Sequence, residues 1–293
     1  MIHLFLTLCA LCKHSSLFIH NLRHQRSISS KSMQQVTIIK IGGNIIDDES
    51  QLSHFLSNFN EIDGSKILIH GGGKLATSMS KTLGIPTQMV DGRRITDSET
   101  LKVVTMVYAG WINTSITASL NAIGTPAVGL CGADAMCIPA VKRPVRTIDY
   151  GFVGDLQSGT LNIPFFQLLL DGGYTPVVAP ITAEGAQLLN TNADTIASTI
   201  AVSLSKYYQT HLVYCFEKNG VLSDVENADS VIPTLTESEY LALKSTGAIA
   251  SGMIPKLDNA FAALQSGVSR VSIGHAGNVM GLIDNLSGTH IIH

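Results

Sequence analysis

The stretches 36–43 (VTIIKIGG) and 66–73 (KILIHGGG) decide the fold class of this chain. Each is a largely apolar run that ends in glycines and is followed by a helical pattern. Runs without regular polar alternation are typical of strands covered on both faces, as in a parallel α/β sheet. We therefore predict two parallel strands whose glycine loops lie together at the carboxyl edge of a sheet.

The same alternation continues along the chain. Further strand-like runs cover residues 126–130, 176–180, 211–216 and 270–273. Helical patterns lie near residues 49–60, 74–83, 98–122, 162–171, 193–206, 237–245 and 254–267. This βαβα order predicts a mainly parallel sheet between helices. Residues 137–160 alternate apolar and polar residues instead, which predicts an antiparallel hairpin that caps one edge of the sheet.

Composition excludes several classes of protein. Of the 293 residues, 45% are hydrophobic and 14% are charged, which is typical of a folded globular chain. With 19 Lys+Arg and 22 Asp+Glu, the chain has no broad basic field for a nucleic-acid backbone, so we expect no nucleic-acid partner. The 5 cysteines are an odd number in apolar segments, which predicts reduced thiols rather than a disulfide framework.

Residues 1–35 differ from the rest of the chain. From Met1 to Ser32 there are basic residues but no Asp or Glu, and Ile2 to Cys12 is largely apolar. Three interpretations stay open: a weak signal peptide, an organellar transit peptide, or sequence upstream of a true start at Met33. The apolar run is too short to span a bilayer. We expect a dispensable, disordered extension and a cytoplasmic protein without membrane association.

Two glycine loops are the first candidates for ligand binding. Lys40 precedes Gly42 and Gly43 at the end of the first strand, and His70 precedes three glycines at the end of the second. Missing side chains let backbone N–H groups approach a ligand, and helix N-termini after both loops favour phosphate or carboxylate. Neither loop has the P-loop or the dinucleotide-binding pattern, so a nicotinamide oxidoreductase loses support.

Polar residues outside these loops extend the candidate site. Arg93 and Arg94 precede the helix at 98–122, and a guanidinium can bind a carboxylate with two hydrogen bonds. Asn190 and Asn192 can donate to acyl or phosphate oxygens, although Asn192 is also well placed to cap a helix. Asp194 can cap the same helix or orient a catalytic lysine.

A lysine in the first turn of a helix is a further signal. Lys256 follows Gly252 and Met253 at the start of the helix at 254–267. A positive charge is unfavourable beside the positive end of a helix dipole. A bound polyphosphate accounts for a lysine at this position.

In this order the motifs resemble the acetylglutamate kinase branch of the amino acid kinase family. The resemblance covers about residues 36–290, and the Arg-Ile-Thr turn with the Asn-x-Asn-Ala-Asp motif favours this branch over carbamate, aspartate, uridylate and glutamate 5-kinases. The motifs are Lys40-Ile-Gly-Gly, His70-Gly-Gly-Gly, Gly92-Arg-Arg-Ile-Thr, Gly129-Leu-Cys-Gly-Ala-Asp, Asp149-Tyr-Gly-Phe-Val-Gly, Asn190-Thr-Asn-Ala-Asp and Gly252-Met-Ile-Pro-Lys.

The resemblance implies a three-layer αβα sandwich around one continuous, mainly parallel sheet. It further implies an N-terminal lobe, 36–182, that binds the acyl amino acid and forms a homodimer, and a C-terminal lobe, 183–293, that binds ATP. The implied reaction transfers the γ-phosphoryl group of ATP to the γ-carboxylate of N-acetyl-L-glutamate for arginine biosynthesis. Mg²⁺ is carried by the nucleotide, without a metal site of protein ligands.

Residue roles follow from the same resemblance. Lys40 and Lys256 match the lysines that flank the transferring phosphoryl group, and Asp194 matches the aspartate that organises them. No general base is required because a carboxylate nucleophile is ionised at neutral pH, so we interpret His70 as a packing residue. The implied contacts to the acyl amino acid are Gly72, Gly73, Arg94, Asn190 and Asn192. The implied nucleotide contacts are Gly42, Gly43, Glu217, Gly220, Val221, Leu222, Gly252 and Met253.

Some positions depart from the family pattern. Glu217 stands where relatives commonly have Asp, and Ala250-Ser251 replaces the usual pair before Gly-Met. Residues 1–35 do not resemble the kinked helix of arginine-regulated hexamers, so we expect an arginine-insensitive homodimer. Two other functions stay open. One is the same reaction on N-succinyl-L-glutamate, which a free cation at the acyl end favours; the other is a catalytically silent amino-acid sensor.

Overall fold

The strands of the computed structural model follow the predicted runs closely. The structure describes residues 33–90, 92–224, 226–249 and 252–293, so most of the predicted extension lies outside it. In chain order the strands are β1 (Gln35–Ile41), β2 (Ser65–His70), β3 (Met89–Val90), β4 (Arg93–Arg94), β5 (Ala127–Leu130), β6 (Ala140–Lys142), β7 (Gly154–Leu156), β8 (Thr175–Val178), β9 (Ile181–Glu184), β10 (Gln187–Asn190), β11 (Gln209–Phe216), β12 (Thr234–Thr236), β13 (Arg270–His275) and β14 (Thr289–Ile292).

Helices connect these strands at all seven predicted places. The helix predicted at 98–122 is continuous, but its middle, Met106–Ile112, is a π-helix. In chain order the α-helices are α1 (Gly43–Ile46), α2 (Glu49–Asn60), α3 (Gly73–Thr82), α4 (Ser98–Thr105), α5 (Asn113–Ala122), α6 (Ile163–Asp171), α7 (Ala193–Leu204), α8 (Glu237–Thr246), α9 (Ile254–Gln265) and α10 (Val279–Ile283).

The central sheet has eight strands in the order β12-β14-β13-β11-β1-β2-β8-β5. Every neighbouring pair is parallel except β13 with β14, which is antiparallel. The predicted mainly parallel sheet is therefore confirmed. Strands from both halves of the chain share it, and residues Gln35–His293 form one compact unit.

Helices cover both faces of this sheet. Successive residues of a strand point to opposite faces, and on β1 Ile38 belongs to one apolar cluster while Ile39 belongs to the other. The first cluster includes residues of α6, α7 and α9, and the second includes residues of α2, α4 and α5. The chain thus has the predicted three-layer αβα architecture, with a core on each side of the sheet.

Two small hairpins lie outside the central sheet. Strands β6 and β7 are antiparallel, which confirms the hairpin predicted within 137–160. They form a separate two-stranded sheet, and Pro139 forms an isolated bridge with Ala183 of the β9–β10 hairpin. That second hairpin was not predicted because each of its strands has only four residues.

Two further observations concern the cysteines and the membrane. Cys131, Cys137 and Cys215, the cysteines within the described residues, are free, as predicted. Within the same part of the chain, no helix is long and apolar enough to cross a membrane.

Candidate active site

The two glycine loops meet at the carboxyl edge of the sheet. Because β1 and β2 are adjacent and parallel, their loops begin side by side, and the Gly71 N–H donates to the Ile41 carbonyl at 3.1 Å. A Cβ on Gly43 would lie 3.6 Å from the amide nitrogen of Gly73. The missing side chain therefore leaves room for an anion beside the first amides of α3, which have no partner within the helix.

Gly72 cannot be replaced without moving its neighbours. Its φ of +146° is in the region that favours glycine, and a Cβ there would collide with the side chain of Ile112. The π-helical segment that carries Ile112 therefore packs directly on the second glycine loop. This contact sets the position of the loop relative to the long helix.

Asp194 brings together the two predicted catalytic lysines. Its Oδ1 lies 2.7 Å from Lys40 Nζ and its Oδ2 lies 3.6 Å from Lys256 Nζ. Lys40 comes from β1, Asp194 from the first turn of α7, and Lys256 from the first turn of α9. One carboxylate thus fixes two cations that are far apart in the sequence.

The charge state of Asp194 follows from its surroundings. Burial disfavours the ionised carboxylate, but the charges of Lys40 and Lys256 outweigh this effect and hold the pKa of Asp194 below its usual range. Asp194 is therefore ionised at neutral pH. In this state it orients both ammonium groups without consuming a proton.

A pocket of about 250 Å³ opens beside this ion cluster. Its wall contains Lys40 and Asp194, both glycine loops, and all five residues predicted to contact the acyl amino acid, which are Gly72, Gly73, Arg94, Asn190 and Asn192. Lys256 is not part of the wall. The structure therefore brings the predicted amino-acid contacts together next to one of the two lysines.

Arg94 is held in place by the second glycine loop and α3. One Nη donates to the Gly73 carbonyl at 2.9 Å and to Thr77 Oγ1 at 2.8 Å, and the other donates to Thr87 Oγ1 at 3.2 Å. Its side chain is buried in the pocket wall. A buried guanidinium fixed in this way is suited to binding a carboxylate.

The two asparagines have different local roles. Asn190 Nδ2 donates to Thr96 Oγ1 at 3.0 Å, and its backbone N–H donates to the Phe152 carbonyl at 2.9 Å. Asn192 caps α7, because its Oδ1 accepts from the Thr195 N–H at 3.0 Å. Capping uses only the oxygen of Asn192, so its amide nitrogen is left for a ligand.

Comparison with known proteins places this architecture in a family. The model of the amino acid kinase family matches residues 35–275, which includes the sheet, both glycine loops and the ion cluster. The chain belongs to the amino acid kinase family. Its motifs are thus those of a family of kinases, as the sequence predicted.

Several relatives of this kinase are named acetylglutamate kinases. The one from Cytophaga hutchinsonii is 54% identical over 86% of this chain and 96% of its own length. The one from Phocaeicola vulgatus is 52% identical over 82% of this chain and 93% of its own length. The similarity extends over nearly the whole length of each relative.

Solved structures show the same fold at lower identity. N-acetylglutamate synthase from Neisseria gonorrhoeae, complexed with coenzyme A and N-acetyl-glutamate, aligns with a TM-score of 0.74 at 22% identity, over 88% of this chain and 59% of its own. Carbamate kinase from Giardia lamblia, bound to AMP-PNP, aligns with a TM-score of 0.64 at 15% identity. The alignment covers 89% of this chain and 99% of the carbamate kinase chain. Both confirm the amino acid kinase fold.

The residues predicted to contact the nucleotide differ from one another in how far they are exposed. Glu217 is exposed just after β11, whereas Val221 and Leu222 are buried. The Val221 N–H donates to Thr289 Oγ1 at 2.8 Å, and its carbonyl accepts from Ile232 N–H at 2.8 Å. Both polar backbone groups of Val221 therefore already have partners, and its contact with the nucleotide stays a prediction.

Glycines in the same half also differ from one another. A Cβ on Gly220 would lie 2.7 Å from Val231 Cγ1, so this glycine permits close packing of the chain. Gly252 has open space around its Cα, and it lies with Met253 just before the helix that carries Lys256. Gly42 donates its N–H to the Cys215 carbonyl at 3.2 Å and caps α1.

His70 is a structural residue, as predicted. It is fully buried, its Nδ1–H donates to the Gly71 carbonyl at 2.8 Å, and its Nε2 accepts from Asn113 Nδ2 at 3.2 Å. Burial lowers the pKa of His70 to about 4. The neutral ring therefore connects the second glycine loop to α5 by hydrogen bonds.

Several side chains of the pocket wall were not predicted from the sequence, among them Tyr108 and Arg143. Tyr108 lies in the π-helical segment, beside Gly72. Arg143 belongs to the segment after β6, outside every motif that carried the resemblance. The only sequence signal for Arg143 was its place in the predicted hairpin, which gives no information on where the hairpin packs.

Proposed function

We propose that this protein transfers the γ-phosphoryl group of ATP to the γ-carboxylate of N-acetyl-L-glutamate, as a step of arginine biosynthesis. The observation that carries the proposal is the bridge from Asp194 to Lys40 and Lys256 at the side of a pocket that also contains Arg94. The acetylglutamate kinase name of relatives above 50% identity supports the same substrate.

Phosphoryl transfer depends on positioning and on neutralising charge, because little covalent chemistry is left to the protein. We assign Lys40 and Lys256 to the oxygens of the transferring group, with Asp194 holding both ammonium groups in place. The protein's own side chains hold the ion cluster together, which is the preorganised arrangement that electrostatic stabilisation of a transition state requires. The attacking carboxylate is already ionised at neutral pH, so no side chain has to remove a proton.

The acyl amino acid occupies the pocket in this proposal. Arg94 binds the α-carboxylate, and the amides of the loop at Gly72 and Gly73 face the reacting end. Asn190 and Asn192 contribute amide donors on the opposite wall. With the α-carboxylate fixed at Arg94, the γ-carboxylate can reach the ion cluster at Lys40.

ATP with Mg²⁺ is the phosphoryl donor in this proposal. Gly43 leaves space for an anion beside the amide of Gly73, and Lys256 in the first turn of α9 offers a positive charge that its own helix disfavours. Both features suit a polyphosphate. Mg²⁺ neutralises phosphate charge when bound; we place Glu217, Gly252 and Met253 near the nucleotide and Gly42 at the base of the first loop.

A hydroxamate assay tests the proposal directly. The protein is incubated with ATP, Mg²⁺ and hydroxylamine, and N-acetyl-L-glutamate, N-succinyl-L-glutamate, L-glutamate and L-aspartate are supplied separately. We expect the acyl phosphate trapped as hydroxamate with N-acetyl-L-glutamate at the highest kcat/KM. No hydroxamate with any of the four acceptors contradicts kinase activity, and it is the result expected of a silent sensor.

A homodimer in the cytoplasm completes the proposal. An apolar groove of about 540 Å³ in the N-terminal half is bordered by Trp111, whose surface is 69% exposed. An exposed Trp beside apolar side chains supports burial against a second copy. We expect sedimentation to give a dimer for the native chain and a monomer for Trp111→Glu, whereas a native monomer contradicts this arrangement.

A further inference from the structure

Tyr108 lies in the wall of the pocket but has no role in the function proposed above. It belongs to the π-helical segment Met106–Ile112, and π-helical turns are rare and frequently lie at functional sites. Its ring packs on the second glycine loop, because a Cβ on Gly72 would lie 3.1 Å from Tyr108 Cδ1 and 3.2 Å from Tyr108 Cε1. The long helix and the glycine loop together fix the position of this ring.

The hydroxyl group of Tyr108 has no acceptor within the described part of the chain. Two other buried tyrosines do have one: Tyr214 donates to the Asp194 carbonyl at 3.2 Å, and Tyr240 donates to Asp258 Oδ1 at 2.6 Å. The polar side chain that acts on the Tyr108 hydroxyl is Arg94. Because a guanidinium only donates hydrogen bonds, the hydroxyl proton of Tyr108 is left without an acceptor.

A ligand in the pocket can reach this hydroxyl. Tyr108 is 6% exposed, and its oxygen is not among the partnerless side-chain oxygens and nitrogens that are sealed from solvent in the described residues. The hydroxyl therefore keeps some open surface, and the residue borders the pocket. Burial raises the pKa of Tyr108, and the charge of Arg94 offsets this only in part. The group is thus a protonated donor at neutral pH.

Arg94 by itself does not supply every donor that a ligand carboxylate can accept. One of its terminal nitrogens already donates to the Gly73 carbonyl and to Thr77 Oγ1, and the other donates to Thr87 Oγ1. A carboxylate has two oxygens with about four acceptor sites. A carboxylate beside Arg94 therefore needs a further donor, and the Tyr108 hydroxyl is next to this guanidinium.

We infer that Tyr108 is a substrate-binding residue whose hydroxyl donates to the α-carboxylate of the acyl amino acid, together with Arg94. The inference rests on the proposed function, in which Arg94 binds that carboxylate. It gives the π-helical segment a part in selecting substrates with a free α-carboxylate. A hydrogen bond to an ionised acceptor is roughly twice as strong as one to a neutral acceptor, so the hydroxyl favours the carboxylate over a neutral group.

Tyr108→Phe tests the inference, because it removes the hydroxyl and keeps the ring that packs on Gly72. We expect the KM for N-acetyl-L-glutamate to rise about tenfold or more, as for loss of a hydrogen bond to a charged group. We expect kcat to change less than about threefold, because the reacting carboxylate lies at Lys40 instead. Tyr207→Phe, at a position that is 52% exposed, is the matched control and leaves both constants unchanged. An unchanged KM in Tyr108→Phe overturns the inference.

A second substrate separates recognition of the α-carboxylate from a general effect on the pocket. The α-amide of N-acetyl-L-glutamate keeps the γ-carboxylate but carries a neutral carboxamide in place of the α-carboxylate. Its kcat/KM, or its inhibition constant if it is not phosphorylated, measures the preference of the enzyme for the acid. We expect Tyr108→Phe to lower this preference about fivefold. An equal loss for the acid and the amide overturns the inference, because the hydroxyl then acts on packing or on another group.

Failure of the inference differs from failure of the proposed function. A native enzyme that phosphorylates N-acetyl-L-glutamate, with a Tyr108→Phe variant of the same KM, refutes the role of Tyr108 alone. A native protein that forms no hydroxamate with any acceptor refutes the proposed function, and the inference with it. Thermal melting of Tyr108→Phe close to that of the native protein shows that a raised KM comes from the lost hydroxyl and not from unfolding.

Discussion

Lys40 and Asp194 form an ion pair of 2.7 Å although they come from opposite halves of the chain. Lys40 lies near the carboxyl end of β1. Asp194 lies in the first turn of α7, which packs against the same strand. The parallel sheet brings strand ends and helix starts to one edge. The proposed catalytic cluster is thus a direct product of the sheet topology.

Removal of either lysine should affect the chemical step. For Lys40→Ala and Lys256→Ala we expect kcat to fall by about 10² to 10³, as for loss of one group that stabilises transition-state charge. Steady-state assays with saturating ATP and N-acetyl-L-glutamate measure this effect. Lys102→Ala is the control, because its ion pair with Glu99 is exposed and contributes little. A normal kcat in either site variant contradicts the assigned roles.

Arg94→Ala should affect substrate binding rather than chemistry. Since Arg94 is assigned to the α-carboxylate, we expect the KM for N-acetyl-L-glutamate to rise about tenfold to 100-fold with a smaller change in kcat. Arg146→Ala removes an exposed arginine outside the pocket wall and serves as the control. If kcat falls strongly while KM is unchanged, Arg94 belongs to the phosphoryl-transfer cluster instead.

Gly72→Ala should destabilise the protein and impair the site. The substitution places a Cβ against Ile112 and forces a non-glycine residue to a φ of +146°. We expect the free energy of unfolding to fall by about 1 to 3 kcal/mol, measured by urea denaturation. Gly110→Ala, in the π-helical segment with open space at its Cβ, should not destabilise the protein. Equal stability of the two variants would refute this role of the loop.

His70 predicts a specific pH dependence of stability. Burial lowers its pKa to about 4 in the folded protein, whereas the unfolded chain binds a proton near pH 6.5. Between these values only the unfolded state is protonated, so stability is full above pH 6.5 and falls as the pH drops to about 4. The contribution is about 3 kcal/mol. His70→Gln should flatten the profile in this window, and His54→Gln, at an exposed site, should not.

Much of the fold was readable from local sequence. Stretches 36–43 and 66–73 predicted two buried strands with glycine loops because continuous apolar runs are typical of parallel strands covered on both faces. The central strands β1 and β2 confirm this. The β9–β10 hairpin was missed since its strands are short. The contact of the β6–β7 segment with that hairpin was not predicted either, because an isolated hairpin carries no signal of its packing partner.

The sequence by itself determined the class of fold, the family and most of the residues that meet in the pocket, because these depend on local patterns and on motifs in a fixed order. Only the tertiary structure decided which of these residues touch. It paired Asp194 with both lysines, turned Val221 inward, and placed Arg143 with an unpartnered nitrogen in the pocket wall. Such contacts join residues far apart in the chain, and they arise from packing of the whole sheet and its hairpins.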